Sequence, residues 1–354
     1  MMRLRRIGTE AGSACVLLML VAACAEQAGD GVESSAVWKD DTDGQSRSAE
    51  LARQYPIVFV SNRDGSEFGD LYLMSVEGGG RDALLVAPGA DHFHPRWAPD
   101  ASSIVVRRIV DGLYADVALV APDGTQLVYL TQGEDVNAFG YAPNWSADGA
   151  SVSFGSIRPE GTFVWVVSRF GGSSERLFPS LTEEHREAVW SPDGSRLAFS
   201  AQIGMGRRRD LFVAEASDLS GAVNLTQGSV YAPGFLRWSP DGTRVAFASA
   251  TVLDDGSPEP GAPSVDGAYA APDMELFVVD VESSELTRLT DNELTDITPG
   301  WSPDGTQLIF SSDRDGDSDL WVIAADGSGE ARDLIDDVAS PSEELLSDWY
   351  GGPR

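Results

Sequence analysis

A near-identical pentapeptide recurs along this chain and limits what the chain can become. It reads Trp-Ala-Pro-Asp-Ala at Trp97, Trp-Ser-Ala-Asp-Gly at Trp145, and Trp-Ser-Pro-Asp-Gly at Trp190, Trp238 and Trp301. The steps between these tryptophans are 48, 45, 48 and 63 residues, and a further 48 lands on Trp349. A period of this length marks a stack or ring of units, each too small to bury its own apolar faces. A second mark keeps the same beat. An acidic residue precedes an alternating apolar run at Asp70, Asp116, Asp210, Glu275 and Asp319, and an acid-less copy starts at Phe163.

The local physics of one unit is readable. Pro presets φ, Asp hydrogen-bonds its own backbone and Gly accepts positive φ, so Pro-Asp-Gly is a tight turn. It lies between the Trp-bearing segment and a run such as TQLIFSS, which makes the two a hairpin. A Gly- and Asp-rich loop, the DLWVI run and a further short apolar run complete four strands, with no helical period between them. A lone four-stranded sheet cannot bury both faces, whereas copies packed radially can. The expected fold is all-β: a six-bladed β-propeller of four-stranded antiparallel blades. Trp97, Trp145, Trp190, Trp238, Trp301 and Trp349 are its repeat-defining residues, supplying apolar area between neighbouring blades.

The ends of the repeat region predict how the ring closes. YPIVFVSNRDG, from Tyr55, matches the second strand of a unit and lacks its Trp strand. SDWYGGPR, around Trp349, is a Trp strand without what should follow. Joined, they make one complete blade, so residues 55–354 are read as one propeller whose C-terminal Trp strand pairs with the N-terminal strands.

The stretch SDRDGDSDLWVIAADGSGEARDL and the repeated Trp-Ser-Pro-Asp-Gly spacing resemble the repeats of the TolB-like propeller family, over residues 55–354. The resemblance implies the six-bladed fold and an envelope location. It does not imply TolB itself, which carries a separate α/β domain before its propeller.

Before the repeats, Arg3, Arg5 and Arg6 precede the apolar run CVLLMLVAA, too short to span a bilayer and suited to a signal-peptide core. LVAAC, ending at Cys24, resembles the lipobox of bacterial lipoproteins. Residues 1–23 are therefore read as a lipoprotein signal peptide and Cys24 as the lipid attachment site, with simple secretory cleavage as the alternative. Residues 24–54 are polar with no sustained apolar period and are read as a flexible tether. The other cysteine, Cys15, falls in the removed segment, which excludes cysteine catalysis and a Cys-ligated zinc. A net charge of −31 argues against nucleic acid as a partner and against charge-driven adhesion to anionic lipid.

Candidate chemistry gathers before the tryptophans. All three histidines, His92, His94 and His185, lie in those stretches, near Asp91 and Glu184. Neutral imidazoles with a carboxylate suit a divalent metal such as zinc or manganese, an arrangement that resembles the channel metal of oligogalacturonate lyases. The spacing fits no established metal motif, so no cofactor is expected. The expected function is a non-catalytic envelope binding scaffold, monomeric, lipid-anchored on the periplasmic or extracellular face, which holds a protein or peptide partner over the channel mouth. The alternative is a metal-dependent saccharide lyase or hydrolase. The insertion between Trp238 and Trp301 reads as a surface loop. Cys24→Ser should abolish incorporation of radiolabelled palmitate and release the protein from membranes; unchanged labelling would overturn the lipoprotein reading.

Overall fold

The computed structural model describes residues 42–62, 69–76, 82–85, 90–110, 114–131, 141–179, 181, 183–204, 208–230, 232–250, 274–314, 316, 318–334 and 344–351. The signal segment, Cys24 and residues 251–273 of the insertion lie outside them. Six four-stranded antiparallel sheets form the blades. Each innermost strand ends on a repeat tryptophan. These strands are Glu344–Trp349 in blade 1, Ala90–Trp97 in blade 2, Tyr141–Trp145 in blade 3, His185–Trp190 in blade 4, Gly234–Trp238 in blade 5 and Asp296–Trp301 in blade 6. Each touches the innermost strands of the blades on either side, and the cycle returns from blade 6 to blade 1. This is the propeller that the repeats predict.

Blade 1 is the composite blade. Ile57–Ser61 pairs antiparallel with Glu344–Trp349, Ile57 facing Trp349 and Ser61 facing Glu344. The Tyr350 amide adds a bond of 2.8 Å to the Pro56 carbonyl. Pairing the two ends removes the open sheet edges that a linear array would leave.

The tryptophans do more than fill space between blades. The Trp145 indole donates to the Arg96 carbonyl, Trp238 to the Val189 carbonyl and Trp301 to the Arg237 carbonyl, at 3.0 to 3.1 Å. Each acceptor is the residue just before the tryptophan of the preceding blade. Trp97 reaches across the closure instead, to the Pro56 carbonyl at 3.0 Å. An amphipathic indole thus buries its ring while its N–H answers a backbone acceptor on the neighbouring sheet. Arginine covers the outer side. Arg196 bonds the Gly242 carbonyl at 2.6 Å and lies over the Trp238 ring, and Arg244 repeats this with Gly305 and Trp301. Each arginine stem thereby joins one blade to the turn of the next.

The turns follow the sequence logic. In the blade 5 copy Asp241 accepts from the Ser239 hydroxyl and the Thr243 amide, while the Arg244 amide returns to the Ser239 hydroxyl. Gly242 takes φ 70° and Gly305 the same value. In the first copy Ala101 holds this left-handed position at φ 58°, a cost the surrounding turn imposes on a residue with a Cβ.

One sequence expectation is corrected. Thr42–Gln54, read as part of a flexible tether, is a helix, α1. Its Ala52 is fully buried in a cluster with Val58, Trp97 and Tyr350. The buried apolar residue of α1 is the small Ala52, so periodicity in the sequence is faint; its contact with the closure supplies stability that an isolated 13-residue helix lacks. Among the described residues no helix is long and apolar enough to cross a membrane.

Replacing the indole tests its two roles separately. Trp238→Ala should lower the unfolding free energy by about 3–5 kcal/mol in urea. Trp238→Phe, which keeps apolar area but strands the Val189 carbonyl, should lower it by about 1–3 kcal/mol. A phenylalanine variant as stable as the parent would show that the indole bond contributes nothing.

Candidate binding site in the channel

The innermost strands carry a shared irregularity. Pairing with the second strand slips between Phe93 and Arg96, Tyr141 and Asn144, His185 and Glu187, Gly234 and Arg237, and Ile297 and Gly300. His94, Phe235 and Thr298, each three residues before its tryptophan, take φ of 52°, 57° and 58°. Such bulges re-aim side chains, here in strands that line the central channel.

Two levels of side chains result. At one level the His94 and Phe235 rings meet at 5.7 Å. They come from blades 2 and 5, which stand opposite in the ring, so this contact crosses the channel. At the level nearer the turns stand Arg96, Asn144, Arg237 and Asp348, each directly before its tryptophan, joined by Glu187 of blade 4. Arg237 Nη1 lies 3.8 Å from Glu187 Oε1 and bonds Asn144 Oδ1 at 3.3 Å; Arg237 Nε lies 3.9 Å from Asp348 Oδ1. Asp348 Oδ2 accepts from the Trp97 amide at 2.9 Å, and Arg96 Nη1 donates to the Pro95 and Ser347 carbonyls. Residues from five blades therefore converge on one charged core. Arg96, Asn144, Arg237 and Asp348 border a cavity of about 110 Å³ that extends outward to Pro99, Ala147 and Gly351.

Burial dominates the electrostatics. It pushes the Glu187 carboxyl up to about 7 against the opposing pull of Arg96, the Leu236 and Phe235 amides and Asn144. It also draws the Arg96 guanidinium below its usual value, while Asp348 and Glu187 hold it up.

The histidines are separated. His92 donates through Nδ1 to the Gly69 carbonyl at 2.9 Å, and Asp91 accepts from the Gly69 amide at 3.0 Å, so this pair fastens blade 2 to blade 1. His185 donates through Nδ1 to the Glu183 carbonyl and packs on Phe178 and Phe163. His94 faces Phe235 in the channel. Burial lowers all three, His92 to about 4, so they are neutral imidazoles near pH 7. Glu184 lies 3.6 Å from Arg209. Among the described residues no three His, Cys, Asp or Glu side chains converge as metal ligands. The charged core escaped the sequence reading. Its only signal was an Arg, Asn or Asp directly before a repeat tryptophan, as in PRW, PNW, LRW and SDW.

A second concavity lies beside the closure. A groove of about 930 Å³ runs between α1, at Ala49, Ala52 and Arg53, the closing residues Trp349 to Gly351, and blade 6, at Gln307, Val322 and Leu334.

No family model matches the chain. In fold it matches a crystal structure of TolB from Acinetobacter baumannii with a TM-score of 0.65 at 16% identity, covering 97% of this chain and 74% of that one. Its fold is that of a six-bladed propeller like TolB's. In sequence it is 40% identical over 53 residues to the Tol-Pal system protein TolB of Syntrophus aciditrophicus, 15% of this chain and 12% of that protein. It is also 29% identical over 224 residues to the uncharacterized peptidase YuxL of Bacillus subtilis, 62% of this chain and 29% of the relative. The chain thus spans less than a third of these relatives, and the TolB-like likeness is one of fold.

Glu187 sets a pH dependence. Unfolded, its carboxyl ionises near 4.5, and folded near 7, so the native state binds the extra proton between those values. Its favourable contribution is complete below about pH 4.5 and is lost as pH rises to about 7. At 1.4 kcal/mol per pH unit the loss is on the order of 3 kcal/mol. Glu187→Gln should therefore gain stability relative to the parent as pH rises from 5 to 8, followed by urea unfolding; a constant difference would contradict the burial effect.

Proposed function

We propose that this protein is a non-catalytic scaffold of the bacterial cell envelope, lipid-anchored through Cys24, that acts as a monomer and holds an extended segment of a protein partner at the turn end of its propeller. The observation that carries this reading is the groove beside the closure. Its lining is apolar at Val76, Val322, Leu334, Trp349 and Tyr350 and charged at Arg53, Arg332, Asp100 and Asp304. An extended chain offers alternate apolar side chains and backbone polar groups, which suit such a lining. Val76 stands 44% exposed in this wall, apolar surface that a partner would cover. The likeness to TolB, a relative named for the Tol-Pal system, supports the envelope location.

The saccharide-lyase alternative draws on a convergence of His92, His94 and His185. Their separate roles at the blade 1–2 junction, in the channel and in an aromatic cluster favour the scaffold.

A photo-reactive amino acid at exposed Gln307, in the full membrane-anchored chain, should give a discrete protein adduct in native envelopes. Val76→Asp should weaken that adduct about tenfold or more, because burying a valine is worth about 1.5 kcal/mol. Absence of an adduct, or an adduct indifferent to Val76→Asp, would refute the groove as the partner site.

A further inference from the structure

We infer that Arg96 and Arg237 form a binding site for a carboxylate group in the channel cavity. The inference rests on a surplus of buried donors. Arg96 is 4% exposed and Arg237 8%. Arg96 uses Nη1 on two backbone carbonyls, while its Nε and Nη2 have no hydrogen-bond partner. Arg237 uses Nη1 on Asn144 and on the Leu236 carbonyl, while its Nη2 has none and its Nε has only the ion pair with Asp348 at 3.9 Å. Buried guanidinium N–H groups without acceptors are costly and uncommon in a native fold. The resident carboxylates do not satisfy them. Asp348 gives Oδ2 to the Trp97 amide and holds Oδ1 3.9 Å from Arg237, and Glu187 stands 3.8 Å from Arg237. Both side chains line the channel cavity, where an added acceptor would meet them.

Charge and shape choose the acceptor. A guanidinium is a planar fork matched to the two oxygens of a carboxylate. A cavity of about 110 Å³ admits a carboxylate with its first few carbons, whereas sites for sugars and larger ligands run to several hundred Å³. The cavity is lined by Trp97, Trp145, Trp190, Trp238 and Trp349, which would enclose the short apolar stem. It shares Trp349, Tyr350 and Gly351 with the groove beside α1. The carboxylate can therefore come from a small free acid or from a peptide lying in that groove. The site itself does not depend on the scaffold reading.

Glu187 makes the site pH-sensitive. It is faced by Arg96 from blade 2, Asn144 from blade 3, Arg237 and the Phe235 and Leu236 amides from blade 5, with Asp348 of blade 1 across Arg237. When Glu187 is protonated the core carries two guanidinium charges against one carboxylate, and an anion is favoured. When it ionises the core becomes neutral and the anion is released.

The test is titration of the full chain, by calorimetry and tryptophan fluorescence, with acetate, with N-acetyl-trialanine as the free acid, and with its C-terminal amide. Binding of the acids and not of the amide is expected. Acetate binding without the tripeptide acid assigns a small free acid; a tripeptide acid about tenfold or more tighter than acetate assigns a peptide carboxylate, and either result supports the site. Arg96→Gln should weaken the acid about tenfold or more, the value of a hydrogen bond to a charged group. Glu187→Gln, neutral and of the same shape, covers the case in which that variant does not fold. The parent should lose affinity between about pH 6 and pH 8, and Glu187→Gln should hold it constant. No acid binding by about 10 mM, equal binding of acid and amide, or a pH profile unchanged in Glu187→Gln would overturn the proposal.

Discussion

The pairing of Ile57–Ser61 with Glu344–Trp349 joins the two ends of the propeller, and the other features of the molecule rest on it. It completes blade 1, gives the Trp97 indole its acceptor at Pro56 and lays Tyr350 against the Trp97 ring. It also creates the surface on which α1 docks through Ala52, and it delivers Asp348 to the channel beside Arg237. Contacts in a linear repeat array are confined to neighbouring units. Closing the array brings residues of opposite blades within reach of each other, and only then does a central site exist.

The channel is built against local preference. His94, Phe235 and Thr298 sit at positive φ in the middle of their strands, a conformation that costs of order 1–3 kcal/mol for each non-glycine residue. In return the strands bend where their side chains would otherwise stay in the sheet-to-sheet core. An apolar plug of the same volume would often be as stable as the buried ions it replaces, because desolvating paired charges offsets much of their attraction. The ions Arg96, Glu187, Arg237 and Asp348 are therefore a weak source of stability for the ring.

The histidines teach a complementary lesson. In the sequence they stand out because they are rare and cluster before tryptophans. In the fold, His92 and His185 each spend Nδ1 on a backbone carbonyl at a blade junction or in an aromatic pocket, and they are held neutral by burial. A histidine so placed acts as a buried hydrogen-bond donor on an aromatic body.

Repeat number, blade composition, the Pro-Asp-Gly turns and the closing role of Trp349 were legible in the sequence, because each depends on local turn chemistry, a period of two along strands and a fixed spacing between tryptophans. The helix at Thr42–Gln54 was not, since its buried apolar residue is an alanine, Ala52, whose burial arises only against the finished closure. Nor was the charged core. Arg96, Asn144, Glu187, Arg237 and Asp348 come from five blades, and no spacing along the chain tells that they meet. The sequence by itself determined the ring and its seam; the tertiary structure decided what the ring encloses, because side chains converge on an axis only once every blade has taken its angle around it.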